Sequence, residues 1–186
     1  PMMPESAMGF WQSKLRYRTQ EELLGVAREY RRRGLPLSVI VIDFYHWTKF
    51  GDWKFDPACW PDPVGMVREL RDMGVEAAVS VWPSVEMSSE NFAEMLDRGY
   101  LVQVDTGVRL SMRSADWTIF FDATNPQARQ YVWEKCKKSY YDAGIRYLWL
   151  DAAEPQYPSW LNYGAQSYRY QLGPHPVVGN LYPQLF

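Results

Sequence analysis

Apolar residues recur along the chain with two alternating periods, which predicts helices and short strands in turn. A helix is expected from Thr19, with Glu22 three residues on in the capping-box arrangement. It carries Leu23, Val26, Ala27 and Tyr30 on one face and ends near Gly34. The run LSVIVI, Leu37 to Ile42, follows, rich in β-branched residues and closing on Asp43. A second helix is expected at Asp62-Pro63, with Met66, Val67, Leu70 and Met73 at helical spacing as far as Gly74. VEAAVSVW then reads as a strand ending at Trp82-Pro83. A third helix, from Ser88 or Ser89 to about Arg98, buries Phe92, Met95 and Leu96. A fourth begins at Asn125-Pro126, turns Ala128, Tyr131, Val132, Cys136 and Tyr140 inward, and ends at Gly144. Tyr147 to Leu150 is the strand after it, closing on Asp151. Between the third and fourth helices, YLVQVDTGVRLSM reads as a hairpin excursion around Asp105-Thr106-Gly107, within residues 100–122.

Short strands buried on both faces and alternating with amphipathic helices imply an α/β fold, a parallel sheet covered by helices. With Gly9 to Gln12 as one more strand, the chain supplies about four βα units. A closed (β/α)8 barrel needs about 250 residues. A chain of 186 is therefore either a small open α/β domain or a truncated half-barrel. The closing VVGNLYPQLF reads as the opening of a further helix and favours the half-barrel, one domain over residues 1–186.

The net charge of −2 and the lack of a basic run argue against nucleic acid as a partner. The longest nearly apolar stretch, Leu35 to Tyr45, contains Asp43 and is too short to span a bilayer, so no membrane is expected. No signal-peptide pattern opens the chain, and the expected compartment is the cytoplasm. Cys59 and Cys136 have no Cys or His at metal-ligand spacing, so neither a disulfide framework nor a metal site is suggested, and no cofactor is expected. Cys136 falls on the apolar side of its helix and reads as packing. Nine Trp, thirteen Tyr and eight Phe are the informative excess. Many lie in loops beside Asp, Gly and Pro, where rings can stack on sugars; filling a large core is an equal reading.

In parallel α/β architectures functional side chains gather at the carboxyl ends of the strands. Those ends carry Asp43, Trp82 and Asp151. A carboxylate that ends an apolar strand costs desolvation energy unless it is paired or used; for any one of them, capping the next turn is an alternative. Carboxylates among aromatic rings suit glycoside chemistry, whose oxocarbenium-like transition state needs a negative charge near the anomeric carbon. Asp151 fits that role; Glu154 more plausibly orients its loop or binds a hydroxyl. His46 sits just beyond a strand end, either touching substrate or packing its loop, and His175 is isolated. No phosphate-cradling Gly-rich loop and no GxSxG elbow is present.

Five stretches in order, VIVIDF, WKFDPACWPDP, VWP, FDATNP and LWLDAAEP, make the chain resemble glycoside hydrolase family 31, the α-glucosidases, α-xylosidases and relatives. The resemblance implies a retaining mechanism on the first half of a (β/α)8 barrel. It makes Asp151 the nucleophile, Asp43 a ligand of sugar hydroxyls, and Trp82 and Trp149 walls of the cleaved subsite. Trp53 and Phe55 belong to a loop that shapes the pocket. The family's general acid is an Asp on a later strand, so no residue here is assigned that role and the chain alone is expected to be inactive. Family α-glucosidases carry a second Asp two residues after the strand-end Asp; Asp43-Phe44-Tyr45 has two rings instead. Rings there fill the space of a C6 group, and a buried hydroxyl left unpaired costs about 1–3 kcal/mol, which favours a terminal α-xylosyl residue over glucose. The expected partner is thus an oligosaccharide or glycoside. A non-catalytic carbohydrate-binding domain is the alternative from another class, and exposed sheet edges make self-association an expectation.

Overall fold

Thr19 turns extended chain into helix: its Oγ1 accepts the Glu22 N–H at 3.1 Å. Glu22 reaches back one residue further than a capping box requires, accepting the Arg18 N–H at 2.7 Å. The computed structural model describes residues 2–104, 118–154 and 167–186. The elements run β1 (Trp11–Gln12), α1 (Gln20–Arg32), β2 (Val39–Ile42), α2 (Pro63–Asp72), β3 (Glu76–Val81), β4 (Ser84–Glu86), α3 (Phe92–Asp97) and β5 (Gln103–Val104). They continue with β6 (Thr118–Phe120), α4 (Pro126–Cys136), β7 (Tyr147–Leu150), β8 (Tyr168–Tyr170), β9 (Gly173–Pro174), α5 (His175–Val178) and α6 (Tyr182–Leu185).

The chain divides into two compact units. One comprises Pro1–Thr48, Trp53–Val81 and Cys136–Trp149; the other, Lys49–Asp52, Trp82–Lys135 and Leu150–Phe186. In the first, a sheet of order β1-β2-β3-β7 carries parallel pairs with Trp11 opposite Val39 and Val41 opposite Ala78. Helices α1 and α2 make the crossovers, burying Leu23, Leu24 and Ala27, and Met66, Val67 and Leu70. Asp62 caps α2, its Oδ1 accepting the Gly65 N–H at 2.8 Å with Pro63 in the first turn. Strand β2 is buried throughout because it is flanked on both edges, and Val39, Val41 and Ala78 pack with Tyr147 on one face. Strand β7 departs from the expected two-sided burial: at the end of the sheet order, Trp149 and Leu150 stay 44% and 46% exposed.

The second unit is antiparallel where it has strands. Ser84 lies opposite Phe120 and Glu86 opposite Thr118, while β5, β8 and β9 form a separate three-stranded sheet. The expected third helix begins late, at Phe92, because Ser89 is engaged in the preceding turn: its hydroxyl donates to Asp52 Oδ1 at 2.8 Å and accepts the Asn91 N–H. Leu96, expected inward, is half-buried. The tip of the expected hairpin, Asp105-Thr106-Gly107, lies outside the described residues. Its flank β5 pairs with β8. The single helix expected near the end is instead α5, a 3-10 turn at Gly179–Leu181 and α6. All five residues expected inward on the fourth helix are buried. That helix ends as α-helix at Cys136 and continues as a π-helical turn, Lys137–Tyr141, in which the Asp142 N–H donates to the Lys137 carbonyl at 2.8 Å. Burial pushes the Cys136 thiol up to about 12, as packing rather than reactivity requires.

Candidate active site

Asp43, Trp82 and Asp151 are each the first residue beyond a strand of the parallel sheet: β2, β3 and β7. In the second unit the structure brings two of them together. The Trp82 indole N–H donates to Asp151 Oδ2 at 3.1 Å, and both residues are half-buried. Phe50 lies behind the indole, ring centroids 5.7 Å apart and planes inclined at 34°. The segment carrying Phe50 is laced to β4: the Phe50 N–H donates to Glu86 Oε2 at 3.2 Å and the Glu86 N–H to the Phe50 carbonyl at 3.0 Å. Burial pushes the Glu86 carboxyl up, but donors from Ser88, Lys49 and Phe50 outweigh it and hold the group below its usual range. Gly51 follows at φ 89°, where a Cβ would meet Val85 Cγ1 at 2.7 Å. Asp52, buried, accepts from the Ser89 hydroxyl and the Glu90 N–H. The strap is therefore held along its length, and the indole it backs is set.

Beyond Asp151, Ala152 adopts φ 54° and Glu154 is exposed. Asp122 and Asn125 of FDATNP serve the backbone. Asp122 accepts the Thr124 N–H and hydroxyl and the Gln171 N–H, and Asn125 Oδ1 caps α4 through the Gln127 and Ala128 N–H groups.

In the first unit Asp43 is buried, and its Oδ1 accepts the Phe44 N–H at 2.7 Å. The Phe44 and Tyr45 rings lie 4.7 Å apart; Tyr45 has φ 59° and the Arg16 guanidinium above its face at 5.4 Å. His46 is only 1% exposed and packs on Trp47, Phe55 and Tyr140, with ring centroids at 4.7, 5.2 and 5.4 Å. Its Nδ1 lies 2.9 Å from the Asp43 carbonyl and its Nε2 lies 2.8 Å from the Tyr140 hydroxyl. A carbonyl only accepts, so Nδ1 carries the proton and Nε2 accepts from Tyr140. Burial pushes this histidine down to about 4. Of the two readings the sequence left open for His46, packing holds, with a specific job added. Trp53 is buried at φ 45°, and Phe55 is buried against Trp60 and Tyr140, so both support the loop from within. Trp149, in contrast, is exposed at the end of its strand. Sequence reasoning missed Phe50, whose signal is only a ring two residues before an aspartate.

The model of the glycosyl hydrolases family 31 TIM-barrel domain matches residues 1–186. Over 186 residues the chain is 55% identical to a protein of Pseudescherichia vulneris named uncharacterized family 31 glucosidase ORF2, covering 100% of this chain and 35% of that one. It is 34% identical over 198 residues to alpha-xylosidase A of Aspergillus niger, covering 98% of this chain and 27% of the relative. The chain thus spans about a third of the length of these relatives. Among solved structures, a family 31 α-xylosidase from a soil metagenome, complexed with xylose, superposes with a TM-score of 0.94 at 55% identity, covering 100% of this chain and 27% of that one. The fold is that of a partial (β/α) barrel.

Proposed function

The chain belongs to family 31 of the glycosyl hydrolases, and on that premise we propose that the protein removes terminal α-xylosyl residues from oligosaccharides by a retaining mechanism on Asp151. The observation that carries this reading is the hydrogen bond from Trp82 Nε1 to Asp151 Oδ2. It engages one carboxylate oxygen and leaves Oδ1 to attack. In the first step Oδ1 forms a bond to the anomeric carbon as the bond to the leaving oxygen breaks, and that oxygen takes a proton from a separate acid. The acid is assigned to no residue of this chain. In the second step water attacks the anomeric carbon, its proton passes to the conjugate base of that acid, and Asp151 is released as carboxylate.

Asp43 is proposed to accept hydrogen bonds from sugar hydroxyls, and the Phe44–Tyr45 pair to stand where a hydroxymethyl group would go. The two rings fill that space and supply no carboxylate to a C6 hydroxyl, which favours xylose. Trp82 and Trp149 are proposed as walls of the subsite and Glu154 as a hydroxyl ligand or loop anchor. An α-glucosidase is the second reading, favoured by the name borne by the 55% identical relative. Incubating the full-length protein with a fluorinated α-xylosyl fluoride, followed by peptide mass mapping, tests the proposal. The expected result is one adduct on the peptide carrying Asp151, absent in Asp151→Ala. No adduct with either a xylosyl or a glucosyl reagent would favour a carbohydrate-binding domain without catalysis.

A further inference from the structure

The turn that carries Asp43 is held from behind by a residue that presents no surface to a ligand. His46 is 1% exposed, yet it is tied at three points. Its Nδ1–H donates to the Asp43 carbonyl at 2.9 Å, its Nε2 accepts from the Tyr140 hydroxyl at 2.8 Å, and its own carbonyl accepts the Asp56 N–H at 2.7 Å. Trp47, Phe55 and Tyr140 pack against the ring, with centroids 4.7, 5.2 and 5.4 Å away. Between Asp43 and His46 the chain reverses through Tyr45 at φ 59°, a conformation an aromatic residue adopts only where its surroundings over-determine it. The Asp43 carboxylate is bound into the same turn through the Phe44 N–H. Any shift of the Asp43 carbonyl therefore moves the carboxylate and the Phe44–Tyr45 pair as one body.

We infer that His46, braced by Tyr140, is a positioning residue that sets the Asp43 carboxylate and the Phe44–Tyr45 wall, and through them the choice between a pentosyl and a hexosyl substrate. The inference rests on the glycosidase reading above. It differs from that reading in assigning specificity to a pair of residues that touch no sugar. Supporting residues of this kind hold a site to within about 0.5 Å, and a misplacement of about 1 Å can cost up to about a hundredfold.

The two ring nitrogens can be separated by substitution in the full-length protein. His46→Asn places an amide N–H near the position of Nδ1 and keeps the donation to Asp43. His46→Gln places its amide near Nε2 and gives that donation up. Tyr140→Phe keeps the ring and removes the hydroxyl. Steady-state kinetics on an aryl α-xyloside and the matching α-glucoside, well below each variant's thermal midpoint, give KM, kcat and the xyloside-to-glucoside ratio. The expected result for His46→Gln is a rise of about tenfold in KM for the xyloside, a smaller change in kcat and a narrowed ratio. His46→Asn, which keeps the donation to Asp43 but loses the Tyr140 brace, and Tyr140→Phe should both move the ratio in the same direction as His46→Gln by a smaller factor. Equal behaviour of the Asn and Gln variants, with the ratio and KM unmoved in both and in Tyr140→Phe, would overturn the inference while leaving the glycosidase reading intact. A parent protein inactive on both glycosides would overturn that reading and the inference with it.

Discussion

Trp82→Phe removes the indole N–H that donates to Asp151 and replaces the fused bicycle with a single ring. Phenylalanine can keep the ring contact with Phe50, 5.7 Å away, but has no N–H to offer Asp151 Oδ2. A hydrogen bond to a charged acceptor contributes about 1.5–3 kcal/mol. Strong donations to a carboxylate fall near 2.7–2.9 Å. At 3.1 Å between two half-buried groups, this one belongs at the lower end, about 1.5 kcal/mol. Since 1.4 kcal/mol is tenfold in a rate or equilibrium constant, Trp82→Phe should slow the step that uses Asp151 by about tenfold. The physical route is orientation. Without the indole the carboxylate turns about its Cβ–Cγ bond, and Oδ1 faces the anomeric carbon for a smaller fraction of the time. The assay that isolates this step is the first-order rate of covalent labelling at saturating fluorinated α-xylosyl fluoride, followed by intact mass, because later steps do not enter it. A labelling rate within about twofold of the parent would refute the reasoning.

Three further outcomes are expected. His46 titrates at about 4 in the folded protein against 6.5 for the free side chain. Its folded value is depressed, so its stability contribution is complete above 6.5 and is lost as pH falls from 6.5 through about 4, roughly 3 kcal/mol in all; the thermal midpoint of the parent should drop over that window more steeply than that of His46→Asn. Tyr45→Asp places a carboxylate two residues after Asp43 and suits φ 59° better than tyrosine does, so the glucoside-to-xyloside ratio of kcat/KM should rise, by about tenfold for one added hydrogen bond of the strong kind; an unchanged ratio would remove Tyr45 from the proposed specificity wall. Gly51→Ala places a Cβ 2.7 Å from Val85 Cγ1 and 2.9 Å from its Cα at φ 89°, and should lower the thermal midpoint by an amount equivalent to more than about 2 kcal/mol; an unshifted midpoint would mean the strap over β4 is free to move.

What the sequence makes legible are features whose partners lie close along the chain. The Thr19 and Asp62 caps, the inward faces of α1, α2 and α4, and the three strand-end residues all follow from spacings of two to four. The start of α3 does not, because the Ser89 hydroxyl, a plausible cap by spacing, is drawn away by Asp52, 37 residues earlier. The antiparallel pairing of β4 with β6 joins strands of three residues, too short for a period to register. His46 shows the limit most clearly. A lone histidine past a strand end reads equally as ligand or filler until Tyr140, 94 residues away, closes on its Nε2. Likewise Trp82 could be placed at a strand end, but its donation to Asp151 crosses 69 residues.

Among the described residues, three other than glycine hold positive φ: Tyr45 at 59°, Trp53 at 45° and Ala152 at 54°. Each costs the fold about 1–2 kcal/mol relative to a relaxed backbone. Two of them stand within two residues of Asp43 or Asp151. A population of variants selected for heat resistance alone should therefore drift first at these positions, toward glycine or asparagine. On the glycosidase reading proposed above, such a selection would trade function for robustness, because Tyr45 and Ala152 each adjoin a carboxylate proposed to act on the sugar. Read in reverse, the substitutions it enriched would mark the turns beside Asp43 and beside Asp151 without any substrate having been supplied.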